Sequence, residues 1–437
     1  MKLKISLFQG ILFGAFGLAA LIGLFTFATY SGKNTDNTVG PVVIWGTLPK
    51  EGIQTMLTVL AQTDQTIKSV TYVQKSEATL PTDLAAAIAT GAGPDLVLAS
   101  QEDLQPLSRF ITTIPLDTLP TSAFVNTFVS EASLLTAAGG AGYYGVPFLV
   151  DPLVLFSNRS ILSSSGVARV PATWEALVGL VPTIAVTTPS RQINRSLIGL
   201  GTYENVDNAR GILSTLFLQT GVPIAGYSQS GQLVADLGQT AVGTGVVPGR
   251  SVLSFYTQFA DPSKISYTWN AALRHSESMF LTGDSALYLA YASRAAFLRA
   301  ANPNIDIGVA PIPQPATAAT KSVYGLLYSF MIPLGSHNPN GAFQTAALLT
   351  NSTQQSVAAQ ATGLAPATLG QLATLPADPT GSVSYAEALY AKGWLSPSPS
   401  NTDQVFSSMI TNVNSGRFTL DTALANAQQA LAALLQQ

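Results

Sequence analysis

YGVPFLVDPLVLFSN, residues 144–158, is apolar at nearly every position and far longer than the usual strand of about five or six residues. Pro147 and Pro152 lie inside it, and each removes a backbone donor from any ladder it joins. Such a run is better explained as a segment crossing between two folded units than as one ordinary strand. On either side of it, short apolar runs alternate with helical spacing. Strands are expected at residues 42–45, 96–99, 286–290, 307–311 and 324–332, and helices at 53–62, 80–90 and 420–435. This alternation indicates an α/β fold with mostly parallel sheets. GAGPD (residues 91–95) makes a tight turn into the second strand: Gly91 and Gly93 allow the bend, and Pro94 keeps the residue before it extended. PATWE (residues 171–175) opens a helix with Thr173 as its N-cap. Residues 221–249, rich in Gly, Ser and Gln, read as loop or a weak hairpin. Residues 311–320 and 396–400 read as proline-rich surface turns.

With 437 residues the chain is expected to form about two or three domain-sized units. Only 10% of residues are charged while 47% are hydrophobic, so Ser, Thr, Asn and Gln carry much of the surface polarity. A chain this apolar does not stay solvated unfolded, which argues against disorder. The net charge of −3 supplies no basic stripe for phosphates and argues against a nucleic-acid partner. The absence of cysteine removes disulfides, thiolate metal sites, cysteine nucleophiles and lipid attachment through a cysteine.

Residues 5–30 carry no charge and would span about 39 Å as a helix, enough for a hydrocarbon core of roughly 30 Å. Lys2 and Lys4 precede the span, so the N-terminus is expected inside and everything after it outside. The competing reading is a cleaved signal peptide, with Thr26-Phe27-Ala28 as its site. The apolar run exceeds a typical signal core, which favours a retained anchor over residues 1–30 followed by a polar linker, residues 31–40.

GAGPDLVL (residues 91–98), YGVPFLVDPLVLFSN, PATWEAL (171–177) and FLTGDSALYLA (280–290) occur in this order, followed by IGVAPIP (307–313) and Ser415-Gly416 before a terminal helix. In order and spacing the chain resembles the extracellular solute-binding proteins of the maltose-binding-protein-like group, the ligand-binding subunits of ABC importers. The resemblance implies a two-lobed, periplasmic-binding-protein-like (type II) clamp behind the N-terminal transmembrane helix. Lobe one would take residues 41–148 and 308–350, and lobe two residues 152–306 and 352–437. The hinge would form near Asp151, Ile307 and Thr350. It further implies a single-pass protein of the cell membrane with its C-terminal part extracellular, which binds a small solute, a sugar foremost, and presents it to permease subunits. A surface adhesion or structural protein that kept the fold without transport is the alternative.

The same resemblance points to candidate ligand residues, each of which has a plainer reading. Asp151 would accept hydrogen bonds from ligand hydroxyls, or else merely hold the turn before Pro152. Thr47 and Lys50 follow the first strand, Ser100 and Glu102 the second, and all could simply be solvated loop or helix-start residues. Sugars stack on rings, so Trp269, Tyr291 and Tyr328 are candidates beside the cleft, although most aromatics are core. Trp45 is open between the two readings, Trp174 reads as structural, and Trp394 as a weaker candidate. Catalysis has little support. His275 and His337 stand alone without metal-ligand spacing, and Gly226-Tyr-Ser-Gln-Ser230 ends in Ser where a nucleophile elbow needs Gly. No phosphate loop or dinucleotide fingerprint occurs, and neither a cofactor nor a metal is implied.

Overall fold

The structure is a computed structural model and describes residues 39–228, 231–240 and 245–436. The transmembrane helix expected over residues 5–30 lies outside the described residues. Among those described, no helix is long and apolar enough to cross a membrane.

Val146–Asn158 is one unbroken strand of 13 residues, every one of them buried. Its first half pairs antiparallel with Val323–Met331, from Val146 opposite Phe330 to Pro152 opposite Gly325. Its second half pairs antiparallel with Ser285–Tyr291, starting at Leu153 opposite Tyr291. The other edge changes partner too, from Ala365–Pro366 at Leu149 and Val150 to Ile307–Ala310 at residues 155–158. Pro152 therefore stands where the strand leaves one sheet and enters another, a place where its missing N–H breaks no regular ladder. The run is both a strand and a crossing, which its length alone had argued against.

The first sheet continues from Val323–Met331 through Leu96–Ser100, Val42–Gly46 and Val70–Gln74, the last three mutually parallel. The second continues from Ser285–Tyr291 to the parallel strand Ile193–Ile198. These flanking strands are thus parallel within each sheet as expected, while Val323–Met331 runs against those of the first sheet and the crossing strand against those of the second.

Helices cover the faces through apolar stripes. Lys50–Thr63 buries Ile53, Met56, Leu57 and Leu60, at helical spacing. Thr173 caps its helix as expected, accepting from the Ala176 N–H. Helices outside the sequence reading include Ala209–Gln219, Ser352–Thr362, Pro379–Ala388 and Pro399–Asn414. The last starts within the supposed surface turn. Ser396 and Pro397 are buried there, Ser398 is the N-cap and Pro399 takes the first helical turn, where its missing N–H costs nothing.

Two segments pack elsewhere than the expected lobe limits would have them. Ser352–Thr362 lies against Lys50–Thr63 and so stays with the first sheet, and Ile307–Ala310 pairs only with the second half of the crossing strand. The return to the second lobe then falls after residue 372, near Pro379–Ala388, which packs on the crossing strand.

Asp95 of the GPD turn ties three segments together. Its Oδ2 accepts from the Val43 N–H at 3.0 Å, and its Oδ1 from the Asn338 N–H at 3.0 Å and the Ser336 hydroxyl at 3.2 Å. Replacing Asp95 with Ala should cost about 1.5–3 kcal/mol, the range for hydrogen bonds to a charged group. Denaturant unfolding of the variant measures it; a loss within about 0.5 kcal/mol, the ordinary surface range, would contradict this role.

Candidate functional site

Loops leaving the strand ends of both sheets meet beside the crossing. Ser100 ends the third parallel strand, and its hydroxyl accepts from the Glu102 N–H at 3.3 Å, turning the chain so that Glu102 faces the second lobe. From that lobe Arg210 arrives on the first turn of Ala209–Gln219. Its Nε donates to Glu102 Oε1 at 3.0 Å and its Nη2 to Oε2 at 2.7 Å, a bidentate pair with Glu102 fully buried. Nη1 donates to Asp403 Oδ2 at 2.6 Å and to the Pro399 carbonyl at 3.3 Å. The Tyr324 hydroxyl donates to Glu102 Oε1 as well. Burial works against the charge on Arg210, but Glu102 and Asp403 outweigh it and lift its pKa well above the usual arginine value. Removing one partner of such a pair leaves an uncompensated buried charge.

Gly211 lets this helix come so close. A Cβ there would lie 2.8 Å from the Tyr291 hydroxyl and 3.3 Å from the Tyr324 ring. Tyr291 and Tyr328 are half-buried, and their phenols are pushed well above the usual range by burial first. The next cause is Glu102 for Tyr291 and Asp151 for Tyr328. Glu77, which follows Val70–Gln74, is exposed at its surface, yet recession into the cleft, then the charge on Glu102, raises its carboxyl. Asp103 is raised further, by burial and then by Glu77 and Glu102. Beside Arg210 and Tyr291 opens a cavity of about 580 Å³ bounded by Tyr203, Arg210, Gly211, Tyr291, Asp403 and Ser407, within the size range of small-molecule sites.

Of the residues expected from sequence, Ser100, Glu102, Tyr291, Tyr328 and Asp151 come together here. Asp151 does so in another role than expected. It is buried, its Oδ1 accepts from the Ser293 N–H at 3.1 Å and its Oδ2 from the Ser293 hydroxyl at 2.5 Å, so it ties the crossing strand to the turn after Ser285–Tyr291. Ser100 is likewise buried and spent on its turn, and Glu102 on Arg210. Trp269 is a correction: it is fully buried in the second lobe, donates to Asn205 Oδ1 at 3.2 Å and has its ring against Gly199, because this large ring fills the core. Trp394 is core as well, donating to the Ser214 hydroxyl at 3.1 Å, and so is Trp174. Thr47 is half-buried with its N–H on the Leu98 carbonyl, and Lys50 is exposed at a helix start, both on the strand-end side of the first sheet. Trp45, half-buried, lies under the Lys75 ammonium, 3.8 Å from the ring centre.

Arg210, Asp403, Glu77, Asp103, Tyr203 and Tyr324 were not singled out from sequence. One signal was available: Arg210 and Asp403 are the lone charges in their helices, ARGILSTLFLQ and PSNTDQVFSSMITNVN. Among the described residues, no group of three or more potential ligands is arranged to hold a metal ion.

Residues 60–388 match the family described as bacterial extracellular solute-binding protein. No curated protein matches the chain in sequence. Solved structures of the same fold include the cyclic α-maltosyl-1,6-maltose binding protein from Arthrobacter globiformis, 16% identical, covering 91% of this chain and 100% of that one at a TM-score of 0.72. UgpB from Mycobacterium tuberculosis in complex with glycerophosphocholine is 18% identical over 91% of this chain and 98% of its own, at 0.69. MalE from Bdellovibrio bacteriovorus bound to maltotriose is 14% identical, with coverages of 91% and 100%, at 0.66. Identities this low carry the likeness of fold alone.

Asp151 makes a test by pH. Burial, only partly offset by the Ser293 bonds, raises its pKa from an ordinary 3.8 to about 7. Its proton stabilises the fold fully below about pH 4; between about 4 and 7 the unfolded chain loses the proton first, and stability falls. Asp151→Asn removes that slope, so from pH 4 to 8 it should lose less stability than the parent, by up to about 4 kcal/mol. Chemical unfolding across that range checks it, and parallel curves for the two proteins would refute it. Glu387, raised by burial to about 7, acts in the same direction in both proteins and leaves the comparison intact.

Proposed function

Because this chain belongs to the bacterial extracellular solute-binding proteins, we propose that it is the capture subunit of an ABC importer whose cleft takes a carbohydrate. The observation that carries this reading is an open cavity bounded by Tyr203, Arg210, Tyr291 and Asp403, near the point where one strand joins two sheets. Sugars present hydroxyls to carboxylates and apolar faces to rings, and this cleft offers both. Several of the proteins of similar structure are binders of maltose-type sugars, which supports the same ligand class. Residues 5–30 would tether the protein outside the membrane, with lobes near the limits given above, and permease subunits would receive the solute from the closed clamp. An adhesion role is not favoured, since a protein that kept the fold only as a scaffold would be expected to fill its cleft.

A thermal-unfolding screen of the full chain against neutral oligosaccharides, amino acids and anions tests the ligand class. A ligand at 100 times its dissociation constant should stabilise by about 2.7 kcal/mol. Stabilisation by amino acids or anions and by no sugar would overturn the carbohydrate reading. For the tether, N-terminal sequencing of native membrane material should find residues 1–30 retained, and a mature terminus between residues 26 and 32 would show cleavage.

A further inference from the structure

We infer that Glu102 is the catch of the clamp: through its fork on Arg210 it holds the lobes together and sets how long a solute stays bound, without touching that solute; this rests on the capture reading above. Glu102 follows the strand Leu96–Ser100 in the first lobe, and Arg210 lies in the first turn of Ala209–Gln219 in the second. Of the ion pairs among the described residues, theirs is the one that joins the lobes, and the others stay within one lobe or the other. Asp403 takes another arm of the guanidinium from within the second lobe, so Arg210 keeps its place there and only its bonds to Glu102 span the gap. The acid is braced in turn. Tyr324, which donates to it, stands next to Gly325 opposite Pro152, and the Gln101 amide donates to the Gly325 carbonyl at 3.0 Å.

The residues bounding the cavity fall within 203–211, at Tyr291 and within 403–408, all in the second lobe. A solute seated there is gripped by that lobe and leaves as the first lobe lifts away. Glu102 is fully buried and is not part of the cavity wall, whereas Arg210 is. Lifting the first lobe strips both charge-assisted bonds of the fork at once. It also leaves a carboxylate with no cation beside it. Loss of one partner from such a hydrogen-bonded charge pair acts mainly on dissociation, since the encounter that precedes it does not need the bond.

Two readouts on the full chain test this. Spin labels at Thr55 and Val186 report the distance between the lobes with no solute added, and stopped-flow mixing with maltotriose gives association and release rates. Glu102→Gln should lengthen and broaden the distance distribution, and Arg210→Lys, which keeps the charge and loses the fork, should do so to a lesser degree. In Glu102→Gln, maltotriose should leave about tenfold or more faster, while association changes by less than about twofold. A merely structural Glu102 would lower the unfolding temperature and leave the distance in the folded chain unchanged, and that result would overturn the inference. An unchanged release rate would overturn it as well. Arg210→Lys keeps the distance test decisive even where Glu102→Gln fails to fold. A parent that binds neither maltotriose nor any other neutral oligosaccharide would overturn the carbohydrate reading, and the distances would then decide on the catch alone.

Discussion

The backbone of Val146–Asn158 hydrogen-bonds two sheets in succession, and the rest of the molecule is arranged around that fact. A strand shared in this way fixes the two sheets end to end, and the change of partner falls immediately after Pro152. The residue opposite is Gly325, where a Cβ would come within 3.0 Å of Ala391 and 3.3 Å of Glu131. Asp151, immediately before Pro152, reaches across to Ser293 and so couples the strand to the second lobe.

From this junction the placement of the site follows. Parallel strands of both sheets end near the crossing, and loops after strand ends are where α/β folds bind ligands. Bringing those loops together also brings acids together, and the chain tolerates this through Arg210, whose fork satisfies Glu102 and Asp403 at once. Such a pair contributes less to net stability than its geometry suggests, because both ions lose water. Its effect is on specificity of arrangement: Glu102 in the first lobe has one acceptable partner in the second.

Much of the fold was legible in the sequence because its signals are local. The apolar run with its two prolines, the GAGPD turn and the Thr173 cap each act within a few residues, and each stands where expected. Two of the helices that escaped reading were masked locally: Ser352–Thr362 is mostly small and polar, and Pro399–Asn414 begins in a Ser-Pro repeat that resembles a turn until its N-cap is seen. The candidate site was legible only in its position. Glu102 was found because it follows a strand, and Asp151, Tyr291 and Tyr328 because the resemblance sets them in the crossing or beside the cleft, whereas Arg210 and Asp403 are brought in by the helices Ala209–Gln219 and Pro399–Asn414, and no spacing encodes that approach. Trp269 shows the opposite error, since proximity to the cleft in sequence says nothing about which way a ring points, and this one fills the core.

On the proposed reading, the two lobes close around a solute by bending beside Pro152. The chain has no cysteine, so a spin-label pair at the exposed positions Thr55 and Val186, one on each lobe, reports the distance between them without background. Measured with and without a saturating sugar, the distance should shorten and its distribution narrow, with the lobes otherwise unchanged. A distance that stays the same at proven saturation would contradict the clamp.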